Sequence, residues 1–222
     1  MPARRPIALL LPVLLLVALG SLAAPARTAA RTPFVYDLYF SSAYERQVDS
    51  RTCTAASTAM MVNIIAGGDL NLYQPAILRF EQSRDALNNA TQRGSDPLGW
   101  SRAATYFSGY TNRPTEYDWE AHGSEASALR RAATLIAKYS KPVGLLVAHG
   151  THAVVMTGFQ STRNPNRGDF TLTHVYYSDP NGSRHVLVTA GGSPLDTYLE
   201  LDATATYDKL WYGKYVIIAP QN

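Results

Sequence analysis

The stretch CTAASTAMMVNIIAGG, Cys53 to Gly68, decides how the chain is read. From Thr54 to Ile65 the residues Ala55, Ala56, Ala59, Met60, Met61, Val62, Ile64 and Ile65 put apolar surface on almost every side of a helix. Such a helix is stable only when it is covered all round, and Gly67 and Gly68 stop it. Its N-terminal residue is Cys53, the only cysteine among 222 residues. A single thiol forms no intramolecular disulfide and cannot build a multi-thiolate zinc site, so it calls for another role.

Working outward, Gln74 to Leu87 reads as a helix entered at Pro75, with Ile77, Leu78 and Phe80 as its apolar face. The turn Gly94-Ser95-Asp96-Pro97 leads into a short helix through Trp100, Ala104 and Phe107. Ser124 is placed to cap another, whose Ala126, Leu129, Ala133, Ile136 and Ala137 recur at helical spacing up to Tyr139. After Pro142 the pattern changes to short β-branched and aromatic runs between turn residues: 143–148, 152–159, 170–177, 184–189, 197–201 and 215–219. Gln160 to Asp169 is a polar loop between two of them. Helices followed by consecutive strands predict one α+β domain with an antiparallel sheet, the Cys53 helix packed against it.

The composition agrees: 46% hydrophobic and 17% charged residues exclude a disordered chain. Residues 1–26 fall outside the domain, which is expected over 27–222. Arg4 and Arg5 precede an apolar run from Ile7 to Leu19, and small residues follow at Ser21, Ala23, Ala24 and Ala26. This is the build of a secretory signal peptide cleaved after Ala23 or Ala26, and the run is shorter than the roughly 18 residues of a spanning helix. A secreted or otherwise extracytoplasmic protein without stable membrane insertion is therefore expected. Removing the two arginines leaves 18 basic and 17 acidic residues, and 18 − 17 gives a net charge of +1. No cluster of Lys and Arg interleaved with aromatics remains to bind nucleic acid.

The chemistry converges on four residues. Cys53 in the first turn of a helix meets unpaired amides and the positive end of the helix dipole, which favour the thiolate. Gln47, six residues upstream, can donate its side-chain amide together with the Cys53 N–H to a developing oxyanion. His152 opens the strand HAVVMTGF (152–159), where a rigidly held imidazole can serve first as base and then as acid. Asp179, after the strand that ends at Ser178, can orient that imidazole through its other nitrogen. Asn181 is the alternative orienter, because Asp179-Pro180-Asn181-Gly182 is also an ordinary turn sequence.

These strings, with Gly94 to Trp100 and Lys141 to Val147, resemble the papain-fold peptidases related to bacteriocin-processing double-glycine leader peptidases, and in particular a secreted, stand-alone bacterial branch. The resemblance spans roughly Tyr44 to Pro180. It implies a papain-like fold, a peptide or protein substrate and no cofactor. Carried over position by position, it implies that Cys53 is the nucleophile, His152 the general base and acid, Asp179 the orienting residue and Gln47 the oxyanion donor. Thr54-Ala55 stands where the family often has Gly-Pro.

Other readings compete with each assignment. Cys53 and His152 are alternatively core residues, and His149 with His152 is alternatively a metal pair, although no third ligand stands nearby in sequence. Trp100, Tyr106, Phe107, Tyr110, Tyr117 and Trp119 either line a substrate groove or pack between lobes. Asn89 and Asn181 head Asn-X-Thr/Ser sequons. At the level of function the alternatives are a cell-wall amide hydrolase of NlpC type, whose Asp-Cys-Ser-Gly pattern is missing here, and a non-catalytic module that binds peptides or glycans.

Overall fold

In the computed structural model, which describes residues 32–86, 94–199 and 208–222, the apolar helix is present as α1 (Cys53–Ala66), with every residue from Cys53 to Ile65 buried. Gly67 ends it in the left-handed conformation (φ 74°), and its N–H reaches back to the carbonyls of Asn63 and Ile64. The remaining elements follow β1 (Phe34–Asp37) and α1 in the order α2 (Gln74–Gln82), α3 (Pro97–Ser108), β2 (Tyr117–His122), α4 (Glu125–Tyr139), β3 (Val143–Val147), β4 (His152–Ser161), β5 (Leu172–Ser178), β6 (Val186–Thr189), α5 (Asp208–Trp211) and β7 (Tyr215–Pro220). Asp96 caps α3 by accepting the Gly99 N–H at 2.9 Å, and Ser124 caps α4 by accepting that of Ser127 at 3.3 Å.

The fold is α+β. One sheet runs β2-β7-β3-β4-β5-β6, with every pair antiparallel, and β1 adds to β4 beyond the end of β3. Helices cover both faces. On one, α1 and α3 bury Met60, Met61, Ile65, Trp100 and Ala104 against Leu146, Ala153, Val155, Val216 and Ile218. On the other, α4 lays Leu129, Ala133 and Ile136 over Leu145, Val154, Met156, Val175 and Ile217. Because alternate residues of β3, β4 and β7 enter opposite cores, these antiparallel strands read as unbroken apolar runs. Gly144 is where the α3 side needs room, since a Cβ there would lie 2.6 Å from the Trp100 ring.

The elements differ from the sequence expectations at particular places. β1 and β2 are additional strands. The second helix ends at Gln82, because Asp85 turns to accept hydrogen bonds from Ser95 and Asp96. The expected strand at 197–201 is instead a single bridge, Thr197 to Tyr215, and residues 200–207 lie outside the described ones. The proposed signal peptide, Leu87 and the Asn89 sequon also lie outside them. Among the described residues no helix is long and apolar enough to cross a membrane. The aromatic set divides: Trp100 and Tyr117 are fully buried core residues, while Tyr106 and Tyr110 are exposed, Tyr106 stacking on Phe80 at 4.4 Å between centroids.

Candidate active site

Cys53 is the first residue of α1, and the cap residue before it offers no side-chain hydrogen bond to the helix. Thr52 is instead turned back into the preceding loop. Its Oγ1 donates to the Asp49 carbonyl and accepts the N–H groups of Val48 and Asp49. The first-turn amides around the thiol are therefore left without a side-chain cap. Gln74, buried at the start of α2, clamps the same loop by donating to the Arg46 carbonyl at 2.8 Å and accepting the Val48 N–H at 3.1 Å.

His152 begins β4, and its Nε2 lies 2.8 Å from Asp179 Oδ1. Cys53 also acts on the ring and favours its protonated form. The imidazole thus answers to both a carboxylate and a thiol. Burial pulls its pKa down, but hydrogen bonds to Asp179 and Cys53 and the negative charges of both outweigh burial and raise it to about 9. For Asp179 burial pushes upward, and the bonds from His152 and the Asn181 amide win, holding its carboxyl below the ordinary value. Asn181 contributes its backbone N–H to Asp179 Oδ1 at 2.8 Å, so the group facing the ring is Asp179.

Gln47 sits on the loop entering α1, and its backbone N–H donates to the Pro180 carbonyl at 3.0 Å, which ties this loop to the turn carrying Asp179. Its side-chain Nε2 donates one N–H to the Asp49 carbonyl at 3.0 Å, and its Oε1 is buried without a partner. The structure therefore joins His152 to Asp179 directly, sets Cys53 near enough to act on the same ring, and ties the Gln47 loop to the Asp179 turn through a main-chain bond. Tyr44, which in the sequence only marks where the family resemblance begins, gives its hydroxyl to the Asp179 carbonyl at 3.1 Å and takes the Arg184 guanidinium over its ring. No local sequence signal marks that role.

Glu81 of α2 is a second residue that the sequence does not single out. Fully buried, it accepts hydrogen bonds from Thr54 (2.6 Å) and Thr58 (3.1 Å) beneath the first turns of α1. Burial raises its pKa to about 8; the two threonines pull the other way, and the charges of Asp85 and Asp96 add to the rise. Among the described residues no three His, Cys, Asp or Glu side chains gather into a metal site. His149 faces Asp196 and the Thr197 carbonyl. No family model and no curated protein matches the chain.

Proposed function

We propose that this protein is an exported cysteine peptidase of papain-like fold that hydrolyses peptide bonds through a thioester. The observation that carries the reading is the His152 ring, bonded to Asp179 through Nε2 and acted on by Cys53, the first residue of a buried helix. Three polar side chains from separate elements, converging at a helix N-terminus, are what nucleophilic acyl transfer needs and what packing does not.

The steps follow from the geometry. His152 carries the proton and Cys53 reacts as the thiolate. The Cys53 thiolate attacks the substrate carbonyl carbon and the π electrons move to oxygen, where the Cys53 N–H and the second N–H of Gln47 Nε2 receive the charge. His152 gives its proton to the amide nitrogen, the C–N bond breaks and the amine leaves. Water, deprotonated by the now neutral His152, attacks the thioester, and the sulfur departs as the acid forms. Asp179 keeps the ring in register and stabilises its charged state. Export through residues 1–26 belongs to the same proposal.

The test is carbamidomethylation of Cys53 by iodoacetamide over roughly pH 4 to 9, in the protein and in His152→Ala. A rate that persists into acid and is lost in the variant is expected. One shared profile that rises only in alkali, or a thiol inert until unfolding, overturns the reading in favour of a non-catalytic binding module.

A further inference from the structure

The connection from β3 to β4, which delivers His152 to the site, has an unusual backbone. Ala148 (φ 52°), His149 (φ 58°) and Gly150 (φ 90°) are three successive residues in the left-handed region, two of them with a Cβ that disfavours it. Val147 and His152 face each other across the strand pair, so this turn sets where the imidazole begins.

The turn's own bonds reach only Ala148, whose carbonyl accepts the Thr151 N–H at 3.1 Å and the Thr151 hydroxyl at 2.6 Å, and His149 and Gly150 are held from outside. A strap, Ser193 to Leu199, runs across it. Both carboxylate oxygens of Asp196 accept the His149 N–H, at 3.0 and 3.1 Å, and Asp196 also pairs with the His149 ring at 3.4 Å. The Leu199 N–H donates to the His149 carbonyl at 3.1 Å, and Leu195 bridges Val147. The buried Tyr198 ring lies so close over Gly150 that a Cβ there would be 2.5 Å from it. The strap is in turn anchored to the core: Thr197 bridges Tyr215, Tyr198 exchanges backbone hydrogen bonds with Lys214 and Gly213 at 2.8 Å each, and its ring meets Trp211 edge-on at 5.8 Å.

We infer that Asp196 is a positioning residue for His152: it holds the 148–150 turn in its left-handed form and so keeps the imidazole within reach of Cys53. The inference rests on the cysteine-peptidase reading and adds a residue to it. Asp179 approaches the ring from β5, independently of the strap. Loosening the strap therefore separates the ring from the sulfur without removing any group that the chemistry uses. An ångström-scale displacement of a reacting group costs on the order of a hundredfold.

The experiment is the same alkylation profile on Asp196→Ala and Asp196→Asn, with circular dichroism to establish folding. In Asp196→Ala the acid-side rate is expected to fall at least ~10-fold. In Asp196→Asn, whose amide oxygen still accepts the His149 N–H, it is expected to stay within about threefold of the native rate. A folded Asp196→Ala protein with the native profile overturns the inference. Should that variant not fold, Asp196→Ala combined with His149→Gly replaces it, because glycine adopts the turn without strain. Recovery of the native profile there supports the inference, and a folded double variant lacking the acid-side rate overturns it. The peptidase reading fails separately, when the native protein and His152→Ala share one profile.

Discussion

Glu81 makes a prediction that runs against the usual expectation that a buried, hydrogen-bonded carboxylate stabilises a fold. The substitution is Glu81→Gln. In the folded protein the carboxyl titrates near 8, against 4.5 for the unhindered group, because it is fully buried and faces Asp85 and Asp96, while only the Thr54 and Thr58 hydroxyls favour its charge. The folded pKa lies above the unfolded one. Between the two, the native state holds a proton that the unfolded state has released, and stability falls as pH rises. At pH 7 the gap is about 2.5 pH units, which at about 1.4 kcal/mol per unit is a penalty of about 3 kcal/mol. Glutamine has nearly the same shape, keeps an acceptor for one threonine and a donor for the other, and never ionises. The assay is urea unfolding followed by tryptophan fluorescence at pH 5, 6, 7 and 8, with Trp100 and Trp211 as buried reporters. The expected result is a native protein that weakens across this range, and a variant whose curve is flatter and that matches or exceeds it at pH 7. Some slope remains in the variant, since burial and Asp96 also raise Asp85. Parallel curves with the variant uniformly weaker would refute the reasoning, by showing that Glu81 is charged in the fold and held there by the threonines.

Two further outcomes are expected. Gly144→Ala drives a methyl to 2.6 Å from two Trp100 ring atoms and 3.1 Å from the Ile218 Cβ, inside a core closed on every side. A loss of about 1–3 kcal/mol by urea denaturation is expected from overpacking. Asp179→Asn keeps an acceptor for the ring but removes a charge that helps hold His152 near 9 against the downward pull of burial. An NMR titration should then place the ring lower. His152-linked stability, complete in the native protein below pH 6.5 and lost as pH rises through about 9, should disappear at a lower pH in the variant.

The part of the fold legible in the sequence is the part whose residues announce their own environment. α1 is buried at thirteen successive positions, Cys53 to Ile65, and nearly all of those beyond the cysteine are apolar or small. β3 (VGLLV) and β7 (YVIIAP) are apolar runs because both of their faces are covered. Cys53, His152 and Asp179 are legible for a related reason: they lie at the start of α1, at the start of β4 and just after β5, where a regular element begins or stops. β1 (FVYD) and β2 (YDWEAH) carry no such mark. They are strands because distant partners complete them, Phe34 opposite Ser161 and Tyr117 opposite Pro220, and no local window contains that information.

The same distinction explains why the supports of the site are hidden in the sequence while its reacting groups are not. Ala148 and His149 adopt left-handed backbone without being glycine or asparagine, the residues that ordinarily signal it. What holds them there is Asp196, 47 residues downstream of His149, just before a segment whose composition imitates a strand. Glu81 follows Ile77 by four residues and Leu78 by three, on the face of α2 that packs inward, and its carboxyl is accommodated there because α1 presents Thr54 and Thr58 to it. Chemistry restricts a nucleophile, a base and an orienting acid to a few residue types, so residue identity alone narrows the candidates for those roles. A supporting contact can be made by almost any side chain of suitable reach, and its identity becomes informative only beside its partner in the fold. It follows that substitutions at Asp196 and Glu81, which no sequence motif singles out, should perturb Cys53 or the stability of its helix. Exposed positions such as Tyr110, which aromatic clustering singles out, should perturb neither.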